Sequence, residues 1–248
     1  MPDITTKILL ENDIEDLDEK FHFLKNADSF NSMFRDWKYT SSHRLGYEKV
    51  KRLNVIFIGQ TGYGKSSLIN KIINNDIFET SDYQSCTKVL QSADYFLHHS
   101  KRHEKLAYVL SFVDLPGIGE NDKADERYLR WYQDYIKEAA VIVYLFRADK
   151  RDHTQDEFFF NNVFDKDVSK RLVCVVSQAD KVEPLSRGYE LSNEQKRNLE
   201  IKKAEIKNKS FLNFNDLSVI HVSSHLNINI NGLENEIIKK LNSMKGVP

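Results

Sequence analysis

The residues in this sequence best suited to chemistry are packed into eight positions, Gly59-Gln60-Thr61-Gly62-Tyr63-Gly64-Lys65-Ser66. Backbone without Cβ atoms at Gly59, Gly62 and Gly64 can curl tightly enough to aim several N–H groups into one concavity. Such a concavity suits a triphosphate, with Lys65 reaching the β- and γ-phosphates and the Ser66 hydroxyl ligating Mg²⁺. Further along stands Asp114-Leu115-Pro116-Gly117, where a carboxylate can hold Mg²⁺ through water and a glycine N–H can meet a terminal phosphate. Two more polar groups end apolar runs, Ser177-Gln178-Ala179-Asp180-Lys181 and Ser223-Ser224-His225.

These groups need a frame that brings strand ends together. Residues 53–58 form an almost unbroken apolar run, as a strand buried on both faces requires, and Leu68, Ile69, Ile72 and Ile73 then follow at helical spacing. That is strand, phosphate loop, helix. Further strands are expected over residues 88–97, 106–113, 139–146, 171–176 and 217–222. Between them a helix over 122–138 turns Tyr128, Tyr132 and Tyr135 inward. Thr154-Gln155-Asp156-Glu157 has capping-box form ahead of Phe159, Phe160, Val163 and Phe164. Ser192 with Gln195 caps a long charged helix, and Asn231 with Glu234 caps a closing helix that carries Leu233, Ile237 and Leu241. Strands alternating with helices predict an α/β fold, a mostly parallel sheet with helices on both faces. Its strand ends would gather the polar groups on one rim.

Residues 1–50 read as an N-terminal helical extension to a nucleotide-binding domain over 51–248. Ile14, Leu17, Phe21 and Leu24, with Asn12 and Glu15 as a capping pair, form one face, and Phe30, Met33, Phe34 and Trp37 a second. These faces either pack on the flank of the chain's own domain or contact a partner or second copy.

At 248 residues and 40% hydrophobic content the chain can bury one core of ordinary size. A net charge of −1 gives no electrostatic reason to expect nucleic acid or an anionic membrane as the main partner. The basic residues at 98–105 read as a solvated hairpin tip, and the lysines of the long charged helix as a solvated face. Cys86 and Cys174 carry no metal or redox spacing, and Cys174 sits in an apolar run as a core residue would. No transmembrane run or signal-peptide core is present, so a cytoplasmic location is expected.

Four such loops in this order resemble those of Era-like P-loop GTPases, in the superfamily that includes TrmE, Era, EngA and the septins, and above all its prophage-associated bacterial members. The likeness rests on GQTGYGKSSLIN, Ser85-Cys86-Thr87, DLPGIGEND from Asp114, the RADKRD run from Arg147 and SQADKVEP from Ser177, and covers residues 52–243. It implies a P-loop NTPase or small G-protein fold and a switch that binds GTP·Mg²⁺ and slowly hydrolyses it to GDP. By the resemblance, residues 59–67 (through Ser67) cradle the phosphates, and Lys65, Thr87 and Gly117 act on the γ-phosphate. Ser66, Thr87 and Asp114 hold Mg²⁺. Ser177, Gln178, Asp180, Lys181, Ser223 and Ser224 surround the guanine, with Asp180 accepting from its N1–H and amine.

Three departures qualify that inheritance. Ser177 and Gln178 stand where the superfamily commonly has Asn and Lys, which leaves guanine selection mainly to Asp180. Ile118 replaces a water-orienting Gln, so intrinsic hydrolysis is expected to be slow unless a partner supplies catalytic groups. Gly62 stands where potassium-activated relatives carry Asn, so no cation stimulation is expected. The chain closes soon after Leu241, so the RNA-binding domain of Era, and its RNA binding, are not expected here. The partners implied are GTP or GDP, an unspecified effector or activator, and a homodimer through the nucleotide face. A nucleotide-driven assembly GTPase of septin or immunity-related type is the alternative. A P-loop kinase or ATPase is a further one, against which Asp180 argues.

Overall fold

Along the strand Lys49–Gly59, Leu53, Val55 and Phe57 enter one apolar cluster while Ile56 and Ile58 enter another. All five are fully buried, so the period-two alternation of a strand here serves two cores rather than one core and solvent. The computed structural model describes residues 5–9, 20–25, 35–36, 49–80, 90–99, 106–118, 122–185, 188–214 and 217–243. Its strands are β1 (Thr5–Leu9), β2 (Arg35–Asp36), β3 (Lys49–Gly59), β4 (Gln91–His99), β5 (Leu106–Asp114), β6 (Ala139–Arg147), β7 (Leu172–Ser177) and β8 (Ser218–His221). They form one sheet in the order β1-β4-β5-β3-β6-β7-β8, with β2 paired to β3. From β5 to β8 every neighbouring pair is parallel; β4 runs against β5, β1 runs alongside β4, and β2 runs against β3. The expected mostly parallel α/β sheet is therefore present.

The helices divide between the faces as the two clusters require. On one side α1 (Lys65–Ile72) contributes Leu68, Ile69 and Ile72, and α5 (Ile230–Ser243) contributes Leu233, Ile237 and Leu241. On the other, α2 (Asp122–Glu138) brings Tyr132, Tyr135 and Ile136, α3 (Thr154–Val163) brings Phe159, Phe160 and Val163, and α4 (Asn193–Lys207) brings Leu199 and Ile206. Tyr128 lies among residues whose side chains are outside the description. Cys174 is fully buried on β7, as expected of a core residue.

The segment before residue 50 differs from the helical extension expected of it. Thr5–Leu9 and Arg35–Asp36 are strands of the main sheet, because β4 and β3 offer them unpaired backbone edges. The predicted first face survives in part: Phe21 and Leu24 lie on a short helical turn ending at Lys25, fully buried against the α1 side of the sheet. Thus Phe21 and Leu24 pack on the chain's own domain. Asn12, Ile14, Glu15, Leu17, Phe30, Met33, Phe34 and Trp37 lie outside the described residues or side chains.

Two predicted caps also resolve differently. The first N–H of α3 and the Thr154 hydroxyl both bond Asp152, so Asp152 does the capping and Asp156 is left to turn inward. At α5 the helix already includes Asn231, and Glu234 is buried and paired with Lys20 at 2.9 Å. At α4 the capping box is present as expected: Ser192 Oγ accepts from the Gln195 N–H at 3.2 Å, and the Gln195 side chain returns to the Ser192 N–H at 3.0 Å. Ser192→Ala should therefore cost about 1 kcal/mol. A urea-melt midpoint that falls at constant slope would report that loss, and an unchanged midpoint would refute it.

Candidate functional site

Each predicted loop leaves the carboxyl end of a parallel strand. Gly59 ends β3, Asp114 ends β5, Ser177 ends β7, and Ser223 follows β8. Because these strands run the same way, their loops share one rim of the sheet.

The phosphate loop is held from beneath by the start of the Asp114 loop. Gln60 and Ile118 form a parallel bridge, in which the Thr61 N–H donates to the Ile118 carbonyl at 3.1 Å and the Ile118 N–H to the Gly59 carbonyl at 3.2 Å. Gly117 packs so closely that a Cβ there would lie 2.2 Å from Thr61 Oγ1 and 2.6 Å from Thr61 Cα, which no side chain can satisfy. The Tyr132 hydroxyl donates to the Pro116 carbonyl and fixes the same turn against α2. Gly64, at φ 82°, is the left-handed residue on which α1 begins and puts no side chain over the first-turn N–H groups.

Lys65 is 6% exposed, and its ammonium donates to the carbonyls of Gly59 at 3.2 Å and Gln60 at 3.5 Å. The Ser66 hydroxyl donates to Asp114 Oδ2 at 2.5 Å. This hydroxyl–carboxylate pair is the hard-oxygen donor set that Mg²⁺ takes, and Mg²⁺ completes its shell with water and phosphate rather than a protein cage. Beside the loop, the Tyr63 ring lies under the Arg147 guanidinium at 5.9 Å. Burial, reinforced by nearby Asp156, pushes the Tyr63 phenol well above its ordinary range, so it stays protonated.

A cleft of about 410 Å³ opens between the phosphate loop and the loops after β7 and β8. Gly64, Ser67, Ser177, Gln178, Asp180, Lys181 and Ser224, all expected at the site, line it together with Tyr63. Gln178 bridges the two sides, its Nε2 donating to the Gly62 carbonyl at 2.8 Å while its backbone sits at φ 52°. A left-handed Gln is strained, and the tie to Gly62 and the Ala179 N–H bond to the Val222 carbonyl hold it there. Asp180 Oδ1 accepts from the Ser223 hydroxyl at 2.5 Å, and Ser223 Oγ in turn accepts from the Leu226 N–H at 3.1 Å. Ser223 is thus fully buried beneath Asp180, so it orients the carboxylate rather than lining the cleft as expected. Ser177 is likewise committed inward, donating to the Phe146 carbonyl at 3.3 Å.

Thr87 lies outside the described residues. The sequence reading missed Asn70, Lys71, Asp76, Thr80 and His225, which also line the cleft. Helical spacing was the available signal for two of them: Asn70 and Lys71 follow Ser67 by three and four residues, on the same face of α1.

Strand, glycine-rich loop and helix, with Asp114 and the Asp180 loop at the same rim, define a P-loop GTPase. Residues 54–178 match the family described as 50S ribosome-binding GTPase, and the chain belongs to that family. Among curated relatives, YkfA of Escherichia coli K12 is 34% identical over 57% of this chain and 47% of its own length. The GTP-binding protein EngB of Thermotoga petrophila is 30% identical over 57% of this chain and 69% of its own. The chain spans about half the length (47%) of the first curated relatives it matches. In fold it is similar to Era solved with MgGDPNP and 16S ribosomal RNA nucleotides (TM-score 0.56, 21% identity, 77% of this chain and 57% of that one). It is also similar to Toc33 from Arabidopsis thaliana solved with GDP and Mg²⁺ (TM-score 0.58, 16% identity, 93% of this chain and 92% of that one).

Proposed function

We propose that the chain is a guanine-nucleotide switch that binds GTP·Mg²⁺ at this rim and hydrolyses it slowly to GDP. The observation that supports this reading is the meeting of three strand-end loops: Ser66 of the phosphate loop bonds Asp114, and Gly64 and Ser67 share a cleft with Asp180. Lys65 would leave its loop carbonyls for the β/γ-phosphates, which the open first turn of α1 also attracts. Ser66 and Asp114 would hold the metal, whose charge neutralises the phosphate oxygens. Thr87 and Gly117 would meet the γ-phosphate, ordering their loops only when it is present. Asp180 would accept from the guanine N1–H and amine at the far end of the cleft, near Ser224. The setting is cytoplasmic in this reading; no described helix is long and apolar enough to cross a membrane.

Ile118 supports the slow rate. Its side chain is 3% exposed, packed in the α2 side of the core, and its backbone is committed to the phosphate loop, so it offers no group to orient a water. Single-turnover hydrolysis by the purified chain should run on the order of 10⁻² s⁻¹ or slower, and a rate near ~10 s⁻¹ would refute this. Calorimetry of GTP, GDP and ATP with Mg²⁺ tests the whole reading, which fails if ATP binds as tightly as GTP. Sizing each complex then tests pairing through the nucleotide face. For the chloroplast translocon components atToc33 and psToc159, which share the fold, dimerisation is described as important for GTPase activity.

A further inference from the structure

The phosphate loop is anchored from the side as well as from beneath. Asp156, in the first turn of α3, is fully buried, and its carboxylate accepts from three separate elements. Gln60 Nε2 of the phosphate loop lies at 3.0 Å, the Tyr144 hydroxyl of β6 at 2.7 Å, and His153 Nδ1 at 3.1 Å. The opposite ring nitrogen, His153 Nε2, is 3.3 Å from Lys202 Nζ on α4. An ammonium only donates, so Nε2 accepts and the proton of a neutral imidazole sits on Nδ1, facing Asp156. Lys202 is itself 7% exposed and donates to the Lys150 carbonyl at 2.6 Å and to Glu205 at 3.2 Å.

The hydrogen bonds therefore run in one direction, from Lys202 through His153 to Asp156 Oδ2, and Gln60 donates to that same oxygen while Tyr144 takes Oδ1. A buried carboxylate is costly unless paired, and here its compensating charge comes from α4 through one imidazole. Asp156 caps nothing, since Asp152 holds the helix start. What it does hold is the Gln60 side chain. The Gln60 carbonyl accepts both from the Tyr63 N–H at 3.2 Å and from Lys65 Nζ at 3.5 Å, so fixing this residue fixes the turn that sets the lysine.

We propose that Asp156 is a positioning residue for the nucleotide site, acting through Gln60 to hold the Lys65-bearing turn in its phosphate-receiving shape. This rests on the guanine-nucleotide reading above. The test is a double-mutant cycle in the full chain, with GDP·Mg²⁺ affinity by calorimetry and thermal midpoint measured for wild type, Asp156→Asn, Gln60→Leu and the pair. Each single change should weaken GDP binding about tenfold, and the pair should be no weaker than the worse single, since both cut one contact. Losses that multiply to about a hundredfold would overturn the proposal, as would wild-type affinity in Asp156→Asn beside a lowered midpoint, the mark of a merely structural carboxylate. Should Asp156→Asn fail to fold, Gln60→Leu decides alone: the affinity loss at an unchanged midpoint supports the proposal, and wild-type affinity overturns it. If wild type itself binds no guanine nucleotide, the underlying reading has failed instead, and the cycle distinguishes the two.

Discussion

Lys65→Ala should abolish tight guanine-nucleotide binding and leave the domain folded. The Lys65 ammonium is inside the phosphate loop, 3.2 Å from the Gly59 carbonyl and 3.5 Å from that of Gln60, and only 6% of the residue meets solvent. A desolvated cation facing a polyphosphate is worth far more than a surface charge, because little water screens it. Truncating one partner of such a buried charge pair costs about 2–5 kcal/mol, or roughly thirtyfold to several-thousandfold in affinity. Folding has less at stake. The loop keeps its backbone bridge to Ile118, Gly117 stays packed on Thr61, and the two carbonyls that lose Lys65 keep the Ile118 and Tyr63 N–H groups as donors. Calorimetry with GTP and GDP, beside a thermal melt, separates the outcomes. Wild-type affinity in the variant would overturn the phosphate-loop assignment.

What could be read from the chain beforehand was the part encoded locally. β3, its loop and α1 announce themselves because a strand buried on both faces needs a continuous apolar run and the turn after it needs glycine. Gly117 was legible as a glycine, although the reason found is its contact with Thr61, which no local pattern contains. β1 was not legible, because its partner β4 lies far along the chain and a pairing edge leaves no periodic mark on either strand. Asp156 was passed over and Glu234 misread for a related reason. Asp156 sits inside the Thr154–Glu157 capping pattern and Glu234 fits a capping spacing with Asn231, patterns set by near neighbours, but their burial depends on Gln60, Tyr144 and His153 in one case and Lys20 in the other. Ser223 was placed against the ligand by position alone, whereas the hydrogen bond it makes puts it under Asp180.

That placement of Ser223 sharpens the prediction for Asp180→Asn, which should turn a guanine site into a xanthine site. An asparagine could present either its carbonyl or its amide to the cleft, and the two orientations have opposite consequences. Ser223 decides between them. Its Oγ accepts from the Leu226 N–H and gives its proton to the residue at 180, so an acceptor at 180 keeps the bond that Asp180 makes. The asparagine carbonyl preserves that contact, which favours the orientation with the amide facing the base. The N1–H is common to both bases and can share the asparagine carbonyl, whereas the amide donor opposes the guanine amine and matches the oxygen that xanthine carries in its place. A site built to pair with one pattern rejects the other by roughly 10⁴-fold when its buried groups are left unpaired, so the ratio of XDP to GDP affinity should rise by about that order. Ser223→Ala in the same background frees the amide to flip and should return part of the GDP affinity. Competition of labelled XDP against GDP for wild type, Asp180→Asn and the double variant reads all three states. A guanine preference that survives Asp180→Asn would mean that the base is recognised at some other place on the rim.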